Sequence, residues 1–159
     1  MQRISKYLTY QECVKSETAI RRGIDNTPNE AQRLAMIHVA LTIFDYIREK
    51  VNGPLFASSF FRSPALNIMI GGAKKSQHCN GEAIDIDADK FGHGTNKMIF
   101  YLIRHECEFD QLIWEFGTDD NPDWVHVSAV DEKVAGRKNR KEVLRAIRTE
   151  SGETKYLPF

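Results

Sequence analysis

The chain has 159 residues, of which 42% are apolar and 28% are charged, a balance typical of one globular domain and unlike that of disordered or fibrous proteins. Its 22 lysines and arginines equal its 22 aspartates and glutamates, so it lacks the positive excess on which nucleic-acid binding depends. The three cysteines are scattered and no two have CxxC spacing, which excludes a disulfide framework and a thiolate zinc site.

The N-terminal residues and the hydropathy of the chain bear on where the protein acts. Basic side chains occur near the N-terminus with no apolar run after them, so we expect no signal peptide and synthesis in the cytoplasm. The longest apolar stretch, Met98 to Ile103, has six residues, far fewer than the ~20 that a membrane-spanning helix needs. We therefore predict no membrane span.

Helices are predicted for the first third of the chain. Thr9 and Glu12 have the spacing of a capping box, and a first helix is predicted from there to Gly23. A second helix is predicted to begin at Thr27 as its cap, with Pro28 in the first helical position. Apolar residues at steps of three and four predict the core face of this second helix: Leu34, Ile37, Leu41, Phe44, Ile47 and Val51.

Strands dominate the remaining sequence. A short helix over 65–70 and another capped by Thr95 interrupt them, and residues 142–159 predict a hairpin around Ser151 and Gly152. These elements predict the α+β class, with a small, mainly antiparallel sheet packed against helices. We expect one domain over residues 1–159 that ends in a basic segment, residues 131–159. The predicted strands are residues 55–61, 83–88, 111–116 and 124–130.

Two of these strands carry polar side chains on one face. On the first strand, Asp85 and Asp87 lie on one face and the isoleucines on the other. On the second strand, Trp124 and His126 lie on one face and the valines on the other. His78, in a glycine-containing turn just before the first of these strands, can reach over the same face. Two imidazoles and one carboxylate form a three-ligand zinc set whose fourth position stays open, the arrangement of catalytic zinc.

The remaining polar residues of this region leave alternatives open. Asp123, three residues before His126, is placed to act as the base that takes a proton from water, and Glu115 is the alternative base. Asp123 could instead only close the loop after Pro122. Asp85 is preferred to Asp87 as the ligand, and Asp87 is expected to orient an imidazole.

The fixed positions of this region resemble a zinc-peptidase motif: Ser76-x-His78-x-x-Gly81-x-Ala83-x-Asp85, followed by Asp123-x-x-His126. The motif is similar to that of the zinc peptidases of the D-Ala-D-Ala carboxypeptidase type. These share a fold with the L-alanyl-D-glutamate endopeptidases of phage endolysins and with the amino-terminal domain of hedgehog proteins. The similarity extends from about Tyr7 to about Val130. Many carboxypeptidase members have glutamate where this chain has Asp123, so the aspartate is nearer the endopeptidase members.

The resemblance implies a role for each matching residue. The zinc ligands would be His78, Asp85 and His126, with one zinc ion per chain. The family's acid/base falls on Asp123, and its oxyanion-stabilising or substrate-orienting arginine falls on Arg62. Four further residues are expected to bind substrate (Ser76 and Gln77) or to surround the ligands (Asp87 and Trp124).

The expected function is hydrolysis of an amide bond in peptidoglycan stem peptides by a zinc metallopeptidase, an L-alanyl-D-glutamate endopeptidase of endolysin type. The alternatives are a D-Ala-D-Ala carboxypeptidase and a non-catalytic hedgehog-like zinc module. The expected partner is a bacterial peptidoglycan peptide, with no nucleic acid, and a monomer is expected. Action on the cell wall would follow release at lysis.

A stretch of basic residues near the C-terminus has two interpretations. It could be a solvated face, or it could attract the protein to the anionic polymers of a bacterial envelope. Only Glu142 opposes its seven basic side chains: Lys133, Arg137, Lys138, Arg140, Lys141, Arg145 and Arg148.

Overall fold

The structure, a computed structural model, describes residues 2–159. One sheet is formed by six strands: β1 (Phe56–Ser59), β2 (Ala83–Asp87), β3 (Gln111–Glu115), β4 (Trp124–Ser128), β5 (Glu142–Arg148) and β6 (Thr154–Pro158). Their order across the sheet is β1-β2-β4-β3-β5-β6. All neighbours are antiparallel except β3 and β5, which are parallel. The predicted α+β class and the C-terminal hairpin, β5–β6, are confirmed.

The helices are mostly short: α1 (Tyr10–Val14), α2 (Glu17–Arg22), α3 (Glu30–Val39), α4 (Asp45–Val51), α5 (Pro64–Met69), α6 (Asn96–Glu106) and α7 (Glu132–Ala135). A π-helical turn, Ala40–Phe44, joins α3 to α4 without a break. The 3-10 turns are Gln77–Asn80 and Asp89–Phe91. None of the helices in residues 2–159 has both the length and the apolarity needed to cross a membrane.

The first predicted helix is in fact two. The capping box of Thr9 and Glu12 is present, but α1 ends at Val14 because Ser16 adopts an extended conformation and caps α2 through its side chain. Gly23 ends α2 in the left-handed conformation, as predicted, with a φ of 62°.

The predicted start of the next helix is wrong, and its predicted core face is correct only in part. Asn29, not Thr27, is the cap, and it forms a capping box with Gln32. Leu34 and Leu41 are 55% and 53% exposed. Phe44 and Ile47 of the predicted series are buried, but the helix also carries other apolar residues, and periodicity alone does not decide which of them face the sheet. The buried series is Met36, Val39, Ala40, Ile43, Phe44 and Ile47.

The core lies between this helical layer and one face of the sheet. Ile84 and Ile86 of β2 and Val125 and Val127 of β4 are fully buried on that face, where they pack in the same cluster as Phe100 of α6. Strand alternation therefore directs the polar residues of β2 and β4 to the opposite face. This opposite face, which we call the polar face, carries the candidate site.

Candidate metal centre and active site

Three potential metal ligands converge on the polar face. Asp85 and His126 are direct partners in the register of β2 and β4, and the 3-10 turn Gln77–Asn80 places His78 above them. His126 Nδ1 lies 2.8 Å from Asp85 Oδ1, and His78 Nε2 lies 3.2 Å from both of those atoms. All three side chains are buried, so the fold brings together the triad that the sequence predicted.

These distances fit a zinc ion. Zinc–nitrogen distances of about 2.0–2.1 Å place neighbouring tetrahedral ligands about 3.3 Å apart. The three separations of 2.8, 3.2 and 3.2 Å are close to this value. Two nitrogens and one carboxylate oxygen are also donors that zinc prefers.

A backbone carbonyl orients the His78 ring. His78 Nδ1 lies 2.6 Å from the Phe60 carbonyl oxygen, which can only accept, so Nδ1 carries the proton and donates. The Nε2 lone pair then points at Asp85 and His126. Burial lowers the pKa of His78, which keeps the imidazole neutral and able to bind a metal.

The turn that carries His78 is held against α3 by a close approach at Gly81. Gly81 has a φ of 74°, and a Cβ atom there would lie 2.4 Å from the Gln32 carbonyl oxygen. The Gln32 side-chain amide also donates to the Cys79 carbonyl at 2.9 Å. Glycine therefore permits both the left-handed conformation and the contact.

Asp85 is ionised in this setting. Burial alone would raise the pKa of its carboxyl group, but the positive charge of the neighbouring imidazoles in their protonated form more than offsets this effect and holds the pKa well below its usual range. The negative charge that a cation would meet is thus present at neutral pH.

Arg62 lies beside the triad, as predicted. Its side chain is 18% exposed, and Nη2 lies 3.9 Å from Asp85 Oδ2. Its backbone N–H donates to the His78 carbonyl, which ties the arginine to the ligand turn. Nε is buried and has no hydrogen-bond partner in residues 2–159.

Glu115 is the second carboxylate of the polar face. Glu115 of β3 pairs with Trp124 of β4. Trp124 and His126 are two residues apart on β4 and lie on the same face, so Glu115 lies on that face as well. Glu115 is 7% exposed. Its pKa is raised to about 7: burial and the charge of Asp85 raise it, and His126 and Arg62 only partly offset them.

Asp123 occupies a different position. It is exposed and lies immediately before β4, outside the strand. Its backbone N–H donates to the Glu115 carbonyl, and its own carbonyl accepts from Asn96 Nδ2 at 2.9 Å. The structure therefore buries Glu115 on the polar face, whereas Asp123 is exposed at the start of β4.

Asp87 does not orient an imidazole as predicted. Its Oδ1 accepts from the Asn96 amide at 3.2 Å and from the Asp89 backbone N–H at 3.1 Å. The carbonyl of Phe60 takes the orienting role for His78. Trp124 is half-buried and packs edge-to-face on Phe116, with ring centroids 5.4 Å apart.

The two residues expected to bind substrate also differ in their surroundings. The Gln77 side-chain amide donates to Asp110 Oδ2 at 2.7 Å, so a protein carboxylate already uses that donor. Ser76 is half-buried, and its side chain does not cap the 3-10 turn. Its role as a substrate contact stays a prediction.

The basic C-terminal stretch is largely neutralised by neighbouring carboxylates. Ion pairs with Asp110, Glu142, Glu132, Glu108, Glu82 and Asp119 involve five of its seven basic residues: Arg137, Lys138, Arg140, Lys141 and Arg145. This arrangement favours the interpretation as a solvated, internally paired segment.

The sequence analysis did not single out Tyr156. The register pairs Glu115 with Ala146 of β5 and Ala146 with Tyr156 of β6, which places Tyr156 on the polar face as well. The alternation of residues 154–158 indicates which residues share a face of the hairpin with Tyr156. It does not indicate that the hairpin joins the sheet beside β3.

A comparison with known proteins identifies the family. The family model described as Peptidase M15 matches residues 6–128, a range that contains the His78, Asp85 and His126 triad. A comparison with curated proteins finds no match. The match spans far more than half of the 159 residues. The chain therefore belongs to the peptidase M15 family, the zinc peptidases of the D-Ala-D-Ala carboxypeptidase type.

Proposed function

We propose that this chain is a zinc peptidase that hydrolyses an amide bond in peptidoglycan stem peptides, with His78, Asp85 and His126 as the metal ligands. The observation that carries the proposal is the convergence of three donor atoms within 4.8 Å of one another on the polar face. A zinc ion held there would activate water and polarise the scissile carbonyl. Action on the cell wall after release at lysis is part of the proposal.

We assign proton transfer to Glu115 in preference to Asp123. Glu115 is buried on the same face as His126, whereas Asp123 is exposed and precedes β4. Burial raises the pKa of Glu115 to about 7, so at neutral pH its carboxylate can take a proton from the attacking water and return it to the leaving amine nitrogen.

Arg62 supplies fixed positive charge next to the reacting groups. Its guanidinium lies 3.9 Å from Asp85, and its buried Nε donor has no protein partner in residues 2–159. A donor held in this way can stabilise the developing oxyanion or bind a substrate carboxylate at little cost in reorganisation.

The bond we propose is the one between L-alanine and the D-glutamyl residue of the stem peptide. Its support is the aspartate at position 123, which is nearer the endopeptidase members of the family. Mass spectrometry of digested sacculi tests this choice. New N-terminal D-glutamate is expected, and a chelator should abolish its appearance.

Two other outcomes of that digestion would contradict the proposed bond or activity. Free D-alanine would identify a carboxypeptidase. Binding to sacculi without release of any amine would identify a non-catalytic zinc module.

The metal is tested by its stoichiometry. The wild-type protein should hold one zinc ion, and His78→Ala and His126→Ala should each lose tight binding because two ligands rarely retain the ion. His38→Ala is a matched control, since His38 lies on α3 outside the triad and is half-buried. Full zinc occupancy in the double variant lacking His78 and His126 would overturn the ligand assignment.

The base is tested by a pair of isosteric substitutions. Glu115→Gln should keep zinc and lower kcat by about 100-fold or more, the usual effect of removing a general base. Asp123→Asn should keep most of the activity. The reverse pattern would return the role to Asp123.

A further inference from the structure

The C-terminal hairpin extends the polar face beyond the region that the family model matches. That match ends at residue 128, whereas β5 and β6 span Glu142–Arg148 and Thr154–Pro158. Because β5 pairs in parallel with β3, the hairpin lies directly beside the strand that carries Glu115. Whatever this hairpin presents on the polar face is therefore next to the proposed site.

One row of residues runs from the site onto the hairpin. Glu115 pairs with Ala146, and Ala146 pairs with Tyr156, so these three residues lie side by side on adjacent strands. Strands are about 4.8 Å apart, which places the Tyr156 backbone about 10 Å from that of Glu115. The residue between them in this row is Ala146, which is fully buried.

The Tyr156 side chain is available for a ligand. It is 48% exposed, and among the hydrogen bonds of residues 2–159 none involves its hydroxyl group. Burial raises its pKa, and the charges of Glu115 and Asp85 raise it further, so both carboxylates are near enough to act on it. The hydroxyl therefore keeps its proton at neutral pH and can donate.

We propose that Tyr156 contacts the substrate: its hydroxyl donates a hydrogen bond to a carbonyl or carboxylate oxygen of the stem peptide, on the opposite side of Glu115 from the metal ligands. The proposal rests on the proposed function. It makes the exposed side of the hairpin one wall of the substrate site.

The test is the removal of a single hydroxyl group. Tyr156→Phe keeps the ring and should raise KM for a soluble stem peptide about fivefold, the effect of one neutral hydrogen bond, with kcat within about twofold. Tyr156→Ala also removes the wall and should raise KM further. Zinc content and thermal stability of Tyr156→Phe should equal those of the wild type, because the hydroxyl has no protein partner to lose.

Tyr101→Phe is the matched control. Tyr101 is 36% exposed and lies on α6, which packs on the apolar side of the sheet, so its substitution should leave KM unchanged. An unchanged KM in Tyr156→Phe, measured with an active wild type, overturns the role of Tyr156 and leaves the peptidase proposal standing. A wild-type protein that cleaves no stem peptide overturns both.

Discussion

At the scale of single residues, Glu115 is an acid whose ionisation is opposed by its surroundings. Its side chain is 7% exposed, and burial raises its pKa to about 7, above the ~4.3 of an unfolded chain. A raised carboxyl pKa stabilises the folded state only at low pH. This contribution is complete below about pH 4 and is lost as the pH rises through 7.

Glu115→Gln should therefore stabilise the metal-free protein at high pH. The variant has no carboxyl group to ionise, so its free energy of unfolding relative to the wild type should increase between pH 5 and pH 8, by up to about 3 kcal/mol. Urea denaturation with a chelator present, at several pH values, measures this difference.

The control for this measurement is Glu150→Gln. Glu150 is exposed, so its substitution should give a difference that does not change with pH. A flat pH profile for Glu115→Gln as well would show that the Glu115 carboxyl is not held in a desolvated position.

At the scale of elements, the ligand turn Gln77–Asn80 depends on the glycine that follows it. Gly81→Ala introduces both a strained φ and a Cβ atom 2.4 Å from the Gln32 carbonyl oxygen. We expect a loss of about 3 kcal/mol in the free energy of unfolding. Zinc affinity should fall by about 10-fold or more, since the turn positions His78.

Gly152→Ala separates the two effects. Gly152 has a φ of 83°, and a Cβ atom added there would have no other atom within 4 Å. This variant should lose only about 1 kcal/mol, the cost of the left-handed conformation. Equal losses for the two glycines would mean that the contact with α3 does not hold the turn.

The elements that the sequence predicted well are those with local signals. The caps Thr9, Gly23 and Thr95 and the alternation of β2 and β4 act within a few residues, and the structure keeps each of them. The split at Ser16 was missed because a serine in a helical stretch gives no sign of whether it caps a new helix.

The parts that were missed depend on contacts between distant segments. The parallel pairing of β3 with β5 joins strands far apart in the chain, and no local pattern indicates it. The two candidate bases differ in the same way. Motif spacing favours Asp123, which stays a prediction, and only the register of β3 and β4 shows that Glu115 shares the face of His126.

At the scale of the whole molecule, Asp110 connects three segments of the chain. Its fully buried carboxylate accepts hydrogen bonds from Gln77, beside the ligand His78, and from Arg137 and Arg140 of the C-terminal segment. Burial alone would raise the pKa of Asp110, but the bonds from Arg140 and Gln77 more than offset this and lower it to about 2.

Asp110→Ala should destabilise the protein by about 3 kcal/mol at pH 7, since it leaves partly buried charges and an amide without their acceptor. A lowered carboxyl pKa stabilises the folded state above about pH 4, and this contribution is lost as the pH falls towards 2. The difference from wild type should therefore shrink in thermal scans from pH 7 to pH 3.

The exposed Asp120 provides a matched substitution. Its side chain is 97% exposed, and its contact with Lys97 is 3.9 Å long, so Asp120→Ala should change stability by less than about 0.5 kcal/mol. An Asp110→Ala protein as stable as Asp120→Ala would show that the buried network does not connect the segments energetically.

The triad joins a turn and two strands that are distant along the chain. His126 is 41 residues from Asp85 and 48 residues from His78. An ion bound there acts as a reversible cross-link, closing long loops as a disulfide would but without dependence on the redox state of the surroundings. The unfolded chain cannot offer this geometry, so at free zinc 1,000 times the dissociation constant the native state would gain about 4 kcal/mol. Resistance to unfolding then becomes a function of the zinc concentration in whichever compartment the protein occupies.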